Sequence, residues 1–353
     1  MDTSTLILGG GLSGLSLADA LEWRGQDYVL ADANDRFGGR ICATTHDGER
    51  FDMGPTWFWP GQPRMAALVE RLGLQAFPQY CQGAQTYEDH VGEIQRGRGL
   101  ASMQGAVRVV GGMSAVTDAL ERRLPDSRKR LNAEARHIAQ QDGKVAVTFA
   151  DGEVLLAKRV VLALPPRLSA GLSYDPPLSP EALSSMEGVP TWMAGQAKVM
   201  AIYSNPFWRA IGLSGDAMSR LGPMVEIHDA SPADGRLGAL FGFIGLPAFA
   251  RRDMGHLRRN VITQFGRLFG AEAAGLIALD IKDWAYDTFT ATPADALGPQ
   301  VQPTYGLPPA ATGLWGNRLV LSGSETAPKF GGLLEGALEA TEMVVRLLDG
   351  PRT

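Results

Sequence analysis

The strongest constraint on the fold of this chain lies in its first thirty-odd residues. Leu6-Ile7-Leu8 is a short apolar run, followed by Gly9, Gly11 and Gly14 in a GxGxxG spacing. Leu12 to Leu21 then carries apolar residues at helical intervals, and a second apolar run begins at Tyr28-Val29-Leu30. Strand, glycine turn, helix and strand make the opening βαβ unit of a doubly wound sheet. In such a unit Gly9 permits the tight turn, Gly11 lets backbone approach a pyrophosphate, and Gly14 allows the helix to pack closely. The helix N-terminus offers N–H groups and the positive end of its dipole, and Ser13 adds a hydroxyl donor. Asp32 ends the second strand at the distance from Gly14 where a carboxylate meets a ribose hydroxyl pair, which suits an adenosine without a 2'-phosphate. FAD and NAD both satisfy this much.

Composition removes several classes of function. A net charge of -5, with 45% hydrophobic and 20% charged residues, lacks the basic excess that nucleic acid binding requires. Two cysteines, Cys42 and Cys81, give no disulfide framework and point to a reducing compartment. No apolar run approaches the ~20 residues that cross a bilayer, and Met1 to Ser4 carries no basic leader, so a cytoplasmic, unanchored protein is expected. The five histidines, His46, His90, His137, His228 and His256, show no metal-ligand spacing, so no metal site is expected.

Along the rest of the chain, helices are predicted over Met65–Leu72, Met113–Leu124 and His256–Phe269, and from Leu334 to Leu348. A hairpin is predicted from Val145–Phe149 and Val154–Leu156 around Asp151-Gly152. Separate strands are expected at Arg159–Leu164, Val199–Ile202, Leu240–Ile244 and Leu319–Leu321. The segment Ala76 to Gly105 shows little periodicity and reads as short strands or loops.

The stretch that separates FAD from NAD is Asp35-Arg36-Phe37-Gly38-Gly39-Arg40. Gly39 and its neighbour bring backbone close to a cofactor, and Arg40 offers a planar cationic fork for a pyrophosphate. With Asp32 before it, this R-x-G-G-R stretch resembles the flavin-containing amine oxidase family. The resemblance continues through Phe51-Asp52-Met53-Gly54-Pro55-Thr56-Trp57, where it implies that Gly54, Thr56 and Trp57 pass the isoalloxazine ring. It implies an adenine contact at Ala135 and an active-site lysine at Lys198, eight residues before Pro206-Phe207-Trp208. Trp284, in Asp-Trp-Ala-Tyr, matches a tryptophan beside the flavin. Ser322-Gly-Ser-Glu-Thr-Ala327 and Gly332 to Ala337 match the C-terminal signature. The resemblance implies cofactor contacts at Arg36 in the R-x-G-G-R stretch and, in the C-terminal signature, at Ser324, Glu325, Leu333, Leu334 and Ala337, with the final helix aimed at the flavin carbonyl edge. Glu325 and Glu335 are expected to hydrogen-bond ribityl or backbone groups.

The implied architecture is α/β, with an FAD-binding Rossmann-like doubly wound domain and a smaller α+β substrate domain built from insertions. Residues 1–75, 105–195 and 294–353 are assigned to the first, and 76–104 and 196–293 to the second. The implied chemistry is hydride transfer from an amine C–H to flavin, giving an imine, with O2 as acceptor and H2O2 as product. The sequence also departs from the family. Ala294 and Leu333 stand where a pair of aromatic residues is usual, which removes that sandwich. Pro293 stands where some members attach flavin through cysteine, so noncovalent FAD is expected. Only about thirty residues separate Gly73 from Gly105, so a more open cavity is expected, and no arginine matches a carboxylate clamp, which favours amines over amino acids. A desaturase, an oxidase of reduced nicotinamides and a nonenzymatic flavoprotein are the competing readings.

Overall fold

The computed structural model describes residues 2–97, 99, 103–297 and 303–349. Parts of the assigned units, at 1, 98, 100–102, 298–302 and 350–353, lie outside the described residues. Two large sheets organise the chain. The first has eight strands, running in order Ser173–Asp175, Ala135–Gln141, Lys144–Phe149, Val154–Leu162, Asp2–Leu8, Tyr28–Ala31 and Lys129–Arg130, with Leu319–Leu321 beside Val154–Leu162. Asp2–Leu8 is parallel to both Tyr28–Ala31 and Val154–Leu162, and Leu319–Leu321 is parallel to the latter. The helix Leu12–Trp23 makes the first crossover, as the glycine pattern requires.

The second sheet has seven strands: Ala278–Asp283, Ala197–Tyr203, Gly238–Ile244, Met224–Asp229, Leu213–Ser219, Ala84–Glu88 and Ile94–Gly97. The helix Met254–Phe269 packs its apolar stripe of Leu257, Val261, Phe265 and Leu268 onto this sheet's core. The opposite face meets Phe51 and Met53, from the hairpin Ala43–His46 and Glu49–Asp52 and its continuation.

Several expectations needed correction. The hairpin strand at 154 and the buried strand at 159 form one continuous strand, Val154–Leu162. Its start, Val154 to Ala157, pairs antiparallel with Lys144–Phe149, and from Leu156 to Leu162 its other edge runs parallel to the first strand. Leu213–Ser219, Met224–Asp229 and Ala278–Asp283 were not anticipated. The first two bury polar residues such as Ser214, Asp216 and His228, which breaks the alternation that marks a strand in sequence. The remaining helices start or stop within a few residues of expectation, at Pro63–Arg71, Ser114–Arg122, Met254–Phe269 and Leu334–Asp349. Among the described residues no helix is long and apolar enough to cross a membrane.

Candidate functional site

The carboxyl ends of the parallel strands converge on one cavity of about 910 Å³. Leu8 ends the first strand and Gly9 follows it, Ala31 ends the second and Asp32 follows it, Ala163 to Pro165 follow the long strand, and Gly323 and Ser324 come after the last. A crevice outside the carboxyl ends of parallel strands is where open α/β sheets bind ligands.

The floor of this crevice is built of bare backbone. Gly9 holds a φ of 101°, and a Cβ there would stand 2.5 Å from the Ala163 carbonyl oxygen. A Cβ on Gly14 would lie 1.9 Å from the Gly9 oxygen, so the first helix presses directly onto the turn. Gly11 bridges to Gly38, and a Cβ on Gly39 would come within 3.1 Å of the Gly11 Cα. Two glycine loops thus touch each other without side chains between them. Beside them the last helix, Leu334–Asp349, begins, and Leu333, Leu334 and Ala337 face the cavity at its positive dipole end.

Gly9, Gly11, Ser13, Asp32, Arg36, Gly39, Arg40, Gly54, Thr56, Trp57, Ala135, Lys198, Trp284, Ser324, Leu333, Leu334 and Ala337 all line this one cavity. Gly14 and Glu325 lie behind its wall. Several of these side chains and their neighbours are also bonded within the protein. The Ser13 hydroxyl lies 3.0 Å from Ser322 Oγ and 3.4 Å from Thr341 Oγ1, tying the first helix to the segment after the last strand and to the last helix. Arg36 donates to the carbonyls of Phe37, Gly39 and Ile41, so it clasps its own glycine loop. Arg40 places its fork on Glu325, at 2.6 and 3.0 Å, and also donates to Ser324 Oγ at 2.9 Å. Glu325 is fully buried, and although burial alone would raise its pKa, Arg40 holds it below the usual carboxylate value. Asp32 accepts from the Gly10 N–H at 2.6 Å and from the Asn34 N–H at 2.8 Å. Glu335 accepts from the backbone N–H groups of Arg64 and Met65, capping the helix Pro63–Arg71.

The second sheet supplies the opposite wall. Lys198, in Ala197–Tyr203, is only 2% exposed, and its Nζ donates to the Gly54 carbonyl at 2.9 Å and to Thr56 Oγ1 at 2.5 Å. The same nitrogen lies 4.2 Å from the Phe241 ring centroid. Trp284 Nε1 donates to the Met53 carbonyl at 3.1 Å, so Lys198 and Trp284 together pin the strip 53–56. Burial lowers the Lys198 pKa to about 7, partly opposed by the Asp52 carboxylate. Burial likewise raises Asp52 to about 6, against the pull of Lys198 and Arg108. Aromatic residues the motifs did not single out, Trp59, Trp192, Phe243 and Phe289, line the cavity with Trp57 and Trp284. Ala294 is not in the wall. Among the described residues no cysteine or histidine lines the cavity, and no group of His, Cys, Asp and Glu could hold a metal ion.

The family model for flavin containing amine oxidoreductase matches residues 12–100 and 76–348. The chain belongs to this family. It is 22% identical over 445 residues to the "Probable flavin-containing monoamine oxidase A" of Dictyostelium discoideum, with 95% of each chain covered. Among solved structures, wild-type putrescine oxidase bound to putrescine superposes with a TM-score of 0.80 at 21% identity, covering 98% of this chain and all of that one. Cyclohexylamine oxidase from Brevibacterium oxydans IH-35A gives 0.81 at 18% identity, with 98% and 100% covered. These likenesses carry the fold, an FAD-binding α/β architecture with mixed sheets. The enzyme is a flavoprotein oxidoreductase, and its cofactor is FAD.

Proposed function

We propose that the enzyme oxidises an uncharged amine at its C–N bond to the imine and passes the electrons to O2, releasing H2O2. When bound, FAD supplies the hydride acceptor and the route to oxygen. The observation that carries this reading is Lys198, buried where the two sheets meet and gripping the strip that faces the glycine-floored crevice.

The bare floor at Gly9, Gly11 and Gly39 would hold the pyrophosphate against backbone, and Asp32 would meet the ribose. Glu325 fixes Arg40 at the cavity edge, so its remaining reach toward a phosphate is already oriented. Leu333 and Leu334 place the last helix's N–H groups where they would stabilise negative charge on the reduced ring. Trp57, Phe243 and Trp284 exclude water around the reacting carbon. The protonated Lys198 has three donors, of which two are spent on Gly54 and Thr56. The third, with its charge, would assist electron transfer to oxygen. Noncovalent FAD is supported by a cavity wall without cysteine or histidine among the described residues. We also assign the dinucleotide to the first sheet and the substrate to the second, following the expected division of the chain.

The test is peroxide release on mixing the yellow protein with primary, secondary and polyamines, run beside dihydronicotinamides. Release with amines alone is expected. Reaction only with dihydronicotinamides would overturn the proposal.

A further inference from the structure

Strand register sets a row of side chains across the cavity wall. Lys198 lies opposite Phe243, and Phe243 lies opposite Glu226 on its other side. Directly opposed residues in antiparallel strands share a face, and all three line the cavity. Lys198 and Glu226 are two strands apart, which at ~4.8 Å per strand puts their backbones about 10 Å from each other.

Glu226 is the cavity-facing carboxylate of an array that runs through His228 to the buried Asp216. Its Oε1 lies 2.7 Å from His228 Nε2, and His228 Nδ1 lies 2.7 Å from Asp216 Oδ1. Both imidazole nitrogens face carboxylates, which accept, so both nitrogens must donate and the ring is an imidazolium. Burial alone would lower the pKa of His228, but its bonds to Asp216 and Glu226 raise it. Trp57 meets the imidazole edge-on at 5.7 Å and Phe241 packs beside it at 5.4 Å, fixing the ring.

One imidazolium against two carboxylates leaves one negative charge over. Asp216 is 2% exposed, whereas the Glu226 side chain is 33% exposed and reaches the cavity. His228 is its one ion-pair partner among the described residues, and no side chain there donates to Oε2. Lys198, the cation in the same row, is turned to Gly54 and Thr56. A half-paired carboxylate that shares its strand row with the Phe243 ring, in a wall that also carries Trp57, Trp284 and Phe289, is matched by a cation brought by the ligand.

We propose that Glu226 anchors a second ammonium group of the substrate, that His228 and Asp216 are positioning residues for it, and that the substrate is an aliphatic diamine or polyamine. The methylene chain would cross Phe243 between the two ends of the row. This rests on the amine oxidation proposed above and narrows its substrate class.

The test compares kcat/KM of the holoenzyme for α,ω-diaminoalkanes with that for n-alkylamines of equal length. A hydrogen bond to a charged group supports a preference for the diamine of roughly 10- to 100-fold. In Glu226→Gln that ratio should fall toward unity, chiefly through the KM of the diamine. In His228→Gln it should fall in the same sense, with a smaller change in kcat. Equal ratios in parent and Glu226→Gln would overturn the proposal. A second measurement is independent of turnover: calorimetric binding of an α,ω-bis(trimethylammonium) alkane, which has no nitrogen lone pair to support oxidation. Binding weakened by a similar factor in Glu226→Gln supports the subsite, and unchanged affinity refutes it. If that binding difference holds while no amine is oxidised, the subsite stands and the amine oxidase reading fails.

Discussion

Lys198 concentrates the chemistry at the scale of single residues. Its motif context was legible in sequence, because a lysine eight residues ahead of Pro-Phe-Trp matches a family position. Its partners were not, since Gly54 and Thr56 lie more than 140 positions away and meet it only through tertiary packing. The Lys198 proton leaves near pH 7 rather than near 10.5. If its charge assists oxygen, the rate constant for reoxidation of the reduced enzyme should fall as pH rises through about 7. Lys198→Met should retain the flavin, react with oxygen on the order of 10²-fold more slowly below that pH, and show no inflection. Stopped-flow reoxidation across the pH range measures this, and a parent-like rate and profile in the variant would remove the role. Glu226 and His228 were illegible for a different reason: strand register and side-chain direction decide their importance. The sequence M-V-E-I-H-D shows only a broken alternation.

Between elements, the contact that matters most is the Arg40–Glu325 pair, which fastens the glycine loop at 38–39 to the turn after the last strand. Both residues were legible as motif members, but each was expected to touch the cofactor or backbone, and their mutual pairing was not foreseen. Motifs record which residues gather at a site, whereas their partners depend on how separate loops meet. Arg40→Ala leaves a buried carboxylate unpaired, which costs about 3–5 kcal/mol. It should also weaken FAD retention. The pH dependence has a definite sign. Glu325 in the parent titrates below its free value of 4.5, so the pair's contribution is complete above that pH and is lost as pH falls through the depressed pKa. The deficit of Arg40→Ala should therefore be largest at neutral pH and shrink on acidification. Denaturant unfolding of the flavin-free proteins at several pH values checks this, and a deficit independent of pH would argue against a buried ion pair. In the long strand Val154–Leu162 the polar Lys158 separates two runs that read as distinct strands, yet the strand is continuous. One edge stays paired with Asp2–Leu8 from Leu156 to Leu162, while the other exchanges the antiparallel Lys144–Phe149 for the parallel Leu319–Leu321.

At the scale of the whole molecule, a glycine-floored crevice on one sheet faces a lysine and an aromatic wall on the other, and the FAD site proposed above lies where they meet. The first sheet was largely readable, because its parallel core follows the glycine fingerprint and continuous apolar runs. The second was only partly so. Its strands are gathered from distant segments, including Ala84–Glu88 and Ile94–Gly97 from a stretch with little periodicity, and several bury polar side chains. If an amine held in this cavity reduces FAD, anaerobic mixing of the purified yellow protein with a panel of amines will show it. Bleaching of the oxidised flavin's visible absorbance by amines is expected, with recovery and peroxide release on admitting oxygen. A flavin that stays oxidised with every amine, or a protein that is colourless and does not take up added FAD, would contradict the proposed reaction.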